Sequence, residues 1–242
     1  YNAQHPGEAV LIFVTEDFLV QKQVKNDSYQ NPKSTKILKT NLIRRFTTGM
    51  YDYSIMTSVF SAIDQESYPG SFKVSMSSLD WCGQSFMQIN RRKENYQVEL
   101  RSYFESEGDQ SFNLKRNLLE DEIWNMIRFN PDKLPYGVVQ IIPSTSFLRL
   151  SHQQTKAVQA MASMKSYDGS EFDGDLMEYN IDFSSQRRSL QIIFERNAPH
   201  QIQGWIESYP SAFDGKVRKS IAKRKHIMMS PYWQKNSPQD SS

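Results

Sequence analysis

A single cysteine, Cys82, stands in the 242-residue chain, so no disulfide can form within it. A disulfide-stapled scaffold is excluded, while the redox compartment stays open. Long apolar runs are missing too. The longest is Ala9 to Val14, far short of the ~18 consecutive residues of a spanning helix, and no transmembrane segment is expected. Charge of one sign is scarce: 29 Lys and Arg against 27 Asp and Glu leave a net +2, which gives no global attraction to nucleic acid. The histidines His5, His152, His200 and His226 are isolated in sequence, and neither HExxH nor paired cysteines supply a metal framework. No G-x-S-x-G elbow, P-loop or G-x-G-x-x-G turn occurs. No catalytic residue is therefore assigned, and no metal or cofactor is expected.

What the chain has is aromatic residues, 12% of the total, in alternating patterns that favour strands. Ala9 to Val14 reads as a strand buried on both faces, followed by a loop over Asn26 to Ser34 and a strand over Lys36 to Arg45. Tyr51, Tyr53, Ile55, Thr57 and Val59 set a clear period of two through Phe60. Tyr68-Pro69-Gly70 turns into a strand through Phe72, Val74 and Met76, and further strands are predicted over Ser85 to Asn90 and Tyr96 to Tyr103. Asn117 with Glu120 has the spacing of a capping box, and Leu119, Ile123 and Ile127 then predict a helix ending near Asn130-Pro131. Gly137 to Ile142 and Ser146 to Leu150 read as strands broken at Pro143. Lys156 to Lys165 fits both periods, with strand preferred. Met177 to Phe183 and Leu190 to Phe194 predict a hairpin across a polar turn holding Arg187-Arg188, and Ile202 to Glu207 adds a strand. The residues from Asn236 onward read as a frayed tail. The expected architecture is mainly β: a curved antiparallel sheet or incomplete barrel with one central helix, residues 1–242 forming one domain whose β halves divide near 117–131.

Several residues are candidates for function, each with a plainer structural role beside it. Cys82 beside Trp81 reads as a small buried hydrophobe, and a nucleophilic thiol would need a neighbouring base. Glu105, Glu107 and Asp109 alternate and could hold a hard cation or act as acid and base, but their setting beside Gly108, with no histidine in the segment, favours structural acceptors. Asp168, Glu171, Asp173 and Asp175 lack an EF-hand register and read as a solvated turn. Lys216, Arg218, Lys219, Lys223, Arg224 and Lys225 lie within ten positions; a solvent-facing hairpin is the reading, with contact to phosphate or anionic lipid as the alternative. Trp81, Trp124, Trp205 and Trp233 serve packing or line an apolar groove. Tyr51, Tyr53, Trp81 and Trp205 are the candidate ligand-binding residues.

The segments AVLIFVTEDFLVQKQ (9–23), TGMYDYSIMTSVF (48–60), WCGQSFMQIN (81–90), YFESEGD (103–109) and SPYW (230–233) resemble those of a family of bacterial cell-envelope lipoproteins of unknown activity. Members of that family often carry the label of Maf-type septum formation inhibitors. Genuine Maf nucleotide pyrophosphatases open with Ser-x-Ser-Pro-Arg-Arg in an α/β fold, and this chain has no such motif, so Maf chemistry is not expected. The resemblance implies an extracytoplasmic protein, anchored by a lipid-bearing cysteine upstream of Tyr1. It supplies no catalytic residue. A more distant likeness is to β half-barrel lipoprotein carriers. Together these give the expectation of a noncatalytic binding or scaffold protein of the envelope, monomeric, without nucleic-acid partners, holding a lipid or an envelope protein on a concave sheet. The rival is a hydrolase or transferase using the Glu105, Glu107, Asp109 group or Cys82.

Overall fold

The computed structural model describes residues 4–211 and 214–241. The chain is mainly β and forms two open sheets. The first is built by β1 (Gly7–Leu19), β2 (Val24–Lys25), β3 (Ser34–Thr48), β4 (Tyr51–Ala62), β5 (Ser71–Asp80), β6 (Gly83–Arg92), β7 (Asn95–Ser102) and β8 (Gln110–Lys115). It is antiparallel throughout, in the order β2-β1-β3-β4-β5-β6-β7-β8. The second runs β15-β14-β13-β12-β11-β10-β9. Its strands are β9 (Leu118–Leu119), β10 (Gly137–Ile142), β11 (Val158–Ser166), β12 (Leu176–Phe183), β13 (Arg188–Glu195), β14 (Ile202–Pro210) and β15 (Val217–Lys223). Only the short β9–β10 pair is parallel. Two helices interrupt the second sheet in sequence, α1 (Ile123–Phe129) after β9 and α2 (Thr145–Ser151) after β10. No described helix is long and apolar enough to cross a membrane.

Period-two patterning places the strands as expected, because one face of each sheet is buried and the other is wet. Along β4, Ile55 and Val59 are buried and meet Val74, Met76, Met87, Ile89, Val98 and Leu100 from β5 to β7. The ambiguous segment after Lys156 is β11, its Ala160 and Ala162 buried in the second core. That core takes Ile123, Trp124 and Ile127 from α1, Leu42 from β3, and a row of aliphatic and aromatic residues from β10 to β14. Leu11 and Phe13 of β1 pack against it. The helical layer thus fills the space between the sheets.

Local readings change in four places. Ala9–Val14 is not buried on both faces: Leu11 and Phe13 pack on the core, while Val10, pointing to the opposite face, is 48% exposed. The helix start moves two residues. Leu119 extends into a pairing with Ile142, so the reciprocal bond comes from Glu122, whose Oε1 accepts the Leu119 N–H at 3.0 Å, and Glu120 is freed for another role. Ser146 to Leu150 is helix α2: Ser144 accepts the Phe147 N–H at 3.2 Å and His152 ends the helix in the left-handed region at φ 51°. The side-chain cap at Ser144 outweighs the apolar pattern. Finally, Arg187 occupies the hairpin turn at φ 51°, but Arg188 lies within β13 and is 2% exposed.

Arg188 belongs to a buried ionic group that joins the layers. It bonds Glu120 through two nitrogens, donates from Nε to Glu207 Oε1 at 2.9 Å, and lies between the Phe147 and Phe183 rings, 4.3 and 4.7 Å from their centroids. Arg44 of β3 approaches Glu207 at 3.7 Å. Burial opposes charge on Arg188, yet Glu120 and Glu207 more than offset it and hold its pKa above the ordinary value. Burial alone would push the Glu207 carboxyl up; Arg188 and Arg44 outweigh it and hold it down. Asp121 forms no ion pair among the described residues, and Arg44 only partly offsets its burial. It accepts the Thr145 N–H at 2.9 Å, and burial, with Glu120 adding to it, pushes its carboxyl up to about 7. Glu122 accepts from the Ser71 N–H at 2.7 Å and is likewise raised by burial.

Candidate binding cleft

Three hairpin ends of the first sheet meet the end of α2. The β5–β6 reversal is made by Asp80, whose Oδ1 accepts the Cys82 and Gly83 N–H groups at 2.8 and 3.2 Å. A short acceptor bonding two residues ahead folds the chain back on itself and turns Trp81 outward, 68% exposed. Cys82 sits at the same tip and is exposed, not buried as its neighbour suggested. Gly83 gives room to a neighbour: a Cβ would come within 2.8 Å of the exposed Tyr103 ring, which would have to shift. Beneath the tip, Ser78, Ser85 and Ser102 align across three strands. These small side chains leave room for α2, which packs on β4 and β5.

A cleft of about 110 Å³ opens at this end, lined by Tyr53, Asp80, Cys82, Phe104, Arg149, Leu150 and His152. Arg149 forms its floor at 5% exposure. Its Nη2 lies 3.4 Å from Asp80 Oδ2 and its guanidinium lies 4.3 Å from the centre of the Phe104 ring, while Nε has no hydrogen-bond partner. His152 Nδ1 stands 2.6 Å from Glu107 Oε1, and Glu107 also takes the Ser102 hydroxyl. A histidine therefore does accompany the acidic segment, brought there from 45 positions away. Tyr53 has its phenol raised, first by burial, then by the charges of Asp80, Tyr51 and Cys82.

Aromatic rings continue from the cleft across the sheet end. Phe46 and Tyr53 stack with centroids 5.0 Å apart, Tyr51 lies 6.1 Å from Tyr53, and Trp81 lies 6.3 Å from Tyr51. Tyr51, Tyr53 and Trp81 are thus brought together, whereas Trp205 is not. It lies in the core between the sheets, edge-on to Trp124 at 5.3 Å. Glu105 and Asp109 point outward from the β7–β8 turn, Asp109 3.9 Å from Arg101. Among the described residues no three His, Cys, Asp or Glu side chains are grouped to hold a metal ion. Asp168, Glu171 and Asp175 each pair with a Lys or Arg on the surface, beside a polar depression of about 270 Å³ that Lys165, Glu178 and Lys219 help line.

Sequence reasoning missed Arg149, Asp80, Phe104 and His152. One signal was available, the Asp80-x-x-Gly83 turn pattern; Arg149 and His152 arrive through the helix that had been read as a strand. Compared with known proteins, the chain matches no family model, and no curated protein and no solved structure is significantly similar to it.

Proposed function

We propose that the chain is a noncatalytic binding or scaffold protein of the cell envelope that takes a protein segment at the aromatic end of its first sheet. The observation that carries this is the continuous set of Phe46, Tyr53, Tyr51 and Trp81 rings beside a cleft of about 110 Å³. That volume is well below the roughly 300–1,000 Å³ of pockets that enclose small molecules. It suits one anchoring side chain, with the rings covering the surrounding contact. The extracytoplasmic location and the upstream lipid anchor rest on the family resemblance alone.

Selection of displayed peptides on the purified protein tests the reading. Selected peptides share an apolar or aromatic anchor, and Trp81→Ala and Tyr53→Ala weaken them at least about tenfold, the scale of hot-spot truncation. The reading fails if the peptides bind both variants as well as the parent, or if a fluorescent fatty acid binds at micromolar concentration where no peptide does.

A second reading has its own observation: an exposed thiol, Cys82, shares the cleft with His152, whose Nδ1 is held by Glu107. Such a pair can serve a nucleophile as base and orienting group. Iodoacetamide modification measured against pH separates the two. A His152→Ala change that slows Cys82 alkylation more than tenfold at neutral pH favours thiol chemistry, and an unchanged rate removes it.

A further inference from the structure

The net positive charge of this protein comes from one stretch. Residues 216–235 hold seven Lys and Arg and no acidic residue, which leaves the rest of the chain net acidic by five. They begin with β15, the free edge of the second sheet. Its outward row is Val217, Lys219, Ile221 and Lys223, with Val217 53% and Ile221 40% exposed. Beyond it the chain runs without strand or α-helix through Ile227, Met228 and Met229 to Tyr232 and Trp233. Met228 is 82% and Met229 fully exposed, and Ile227 and Trp233 are each 59%. Lys216, Lys219, Lys225 and Lys235 form no ion pair with a carboxylate among the described residues, whereas Arg218, Lys223 and Arg224 do.

From this we infer that β15 and the segment after it dock on an anionic lipid bilayer. Lysines adjoining exposed aliphatic and aromatic side chains match an interface of negative headgroups over acyl chains. Trp and Tyr, each with a polar handle on an apolar ring, suit the headgroup level. The acidic remainder of the chain is repelled by the same surface, which orients the protein with β15 toward the membrane. The aromatic cleft belongs to the other sheet and is not needed for this contact, so the inference stands apart from the proposed function.

Vesicle sedimentation tests it, using the full chain with phosphatidylcholine vesicles and with vesicles containing one third phosphatidylglycerol. The expected result is binding to the anionic vesicles at 0.1 M salt, at least tenfold weaker on the neutral ones and weakened by 0.5 M salt. A Met228→Asp, Met229→Asp variant loses at least tenfold, and lipids brominated in the acyl chain quench tryptophan fluorescence in the parent but not in Trp233→Phe. Circular dichroism checks that the variants remain folded. No binding to anionic vesicles, equal binding by the Asp variant, or quenching that survives Trp233→Phe overturns the inference.

Discussion

Arg188 and Glu120 stand 68 positions apart in sequence and meet through two hydrogen bonds, Nη1 donating to Oε2 at 2.7 Å and Nη2 to Oε1. Both side chains are at most 2% exposed. The pair ties the second sheet to the turn that leads into α1. Removing one partner of a buried pair leaves the other's charge without compensation, at a cost of about 3–5 kcal/mol. Arg188→Met should lower the unfolding free energy by that amount in urea titrations, with Glu120 stranded and Glu207 left with Arg44 alone. A loss under 1 kcal/mol would show that water reaches the carboxylates and the join is not sealed.

Asp121 gives stability an unusual pH dependence. Its carboxyl is pushed up to about 7 in the folded protein from roughly 3.9 in the unfolded chain. Between those values the folded state holds a proton that the unfolded state lacks, so this group's contribution falls as pH rises from about 4 to 7 and stays low above it. Asp121→Asn keeps an oxygen for the Thr145 N–H and removes the titration. It should stabilise the protein by on the order of 1–4 kcal/mol at pH 8 and change little at pH 4, as read from denaturant midpoints at the two values. Equal effects at both would rule out the burial of a charge as the cause.

Cys82 should react quickly in the native state. The thiol is exposed at the β5–β6 tip, so a disulfide reagent should label it within a few-fold of the denatured rate. A peptide selected on the aromatic end should protect it, since Cys82 lines that cleft. Labelling that waits for denaturant would mean that the tip folds under Trp81.

Gly204 allows the closest approach in the second sheet. A Cβ there would fall 2.1 Å from the Ala222 carbonyl oxygen and 2.4 Å from the Phe172 ring. The ring could turn aside, but the backbone oxygen of the paired strand cannot. Gly204→Ala should cost at least about 1–3 kcal/mol, the usual range for overpacking, and thermal unfolding measures it. A variant as stable as the parent would place β15 further from β14 than described.

Much of the strand framework was legible because each sheet is wet on one face, and the alternation of Tyr51 to Phe60 or Met177 to Phe183 records that directly. The elements that failed are those where a polar side chain acts on the backbone. Ser144 starts α2 against an apolar pattern that fits a strand, and Glu122 takes the capping role that spacing gave to Glu120. The site was half visible: Tyr51, Tyr53 and Trp81 stand out by type, but Trp205 looks the same in sequence and lies in the core. Arg188 shows the limit most clearly. In sequence it is one of two arginines in a polar stretch, and pairing with Glu120, 68 positions away, and with Glu207 makes its burial tolerable.

Each sheet is a contiguous length of chain, with every ladder of the first lying between Gly7 and Lys115. During synthesis the first sheet therefore has all its strands before any residue of the second exists, and domains of this kind form as units from the N-terminus. Glu120, Asp121 and Glu122 emerge next, facing a finished sheet while Arg188, the partner of Glu120, is still unmade. A charged carboxylate does not enter a dry interior unaccompanied, so Glu120 stays hydrated until β13 delivers Arg188. Closure at Glu120 thus waits on a single cation, and a chain stopped short of residue 188 should leave that carboxylate open to solvent.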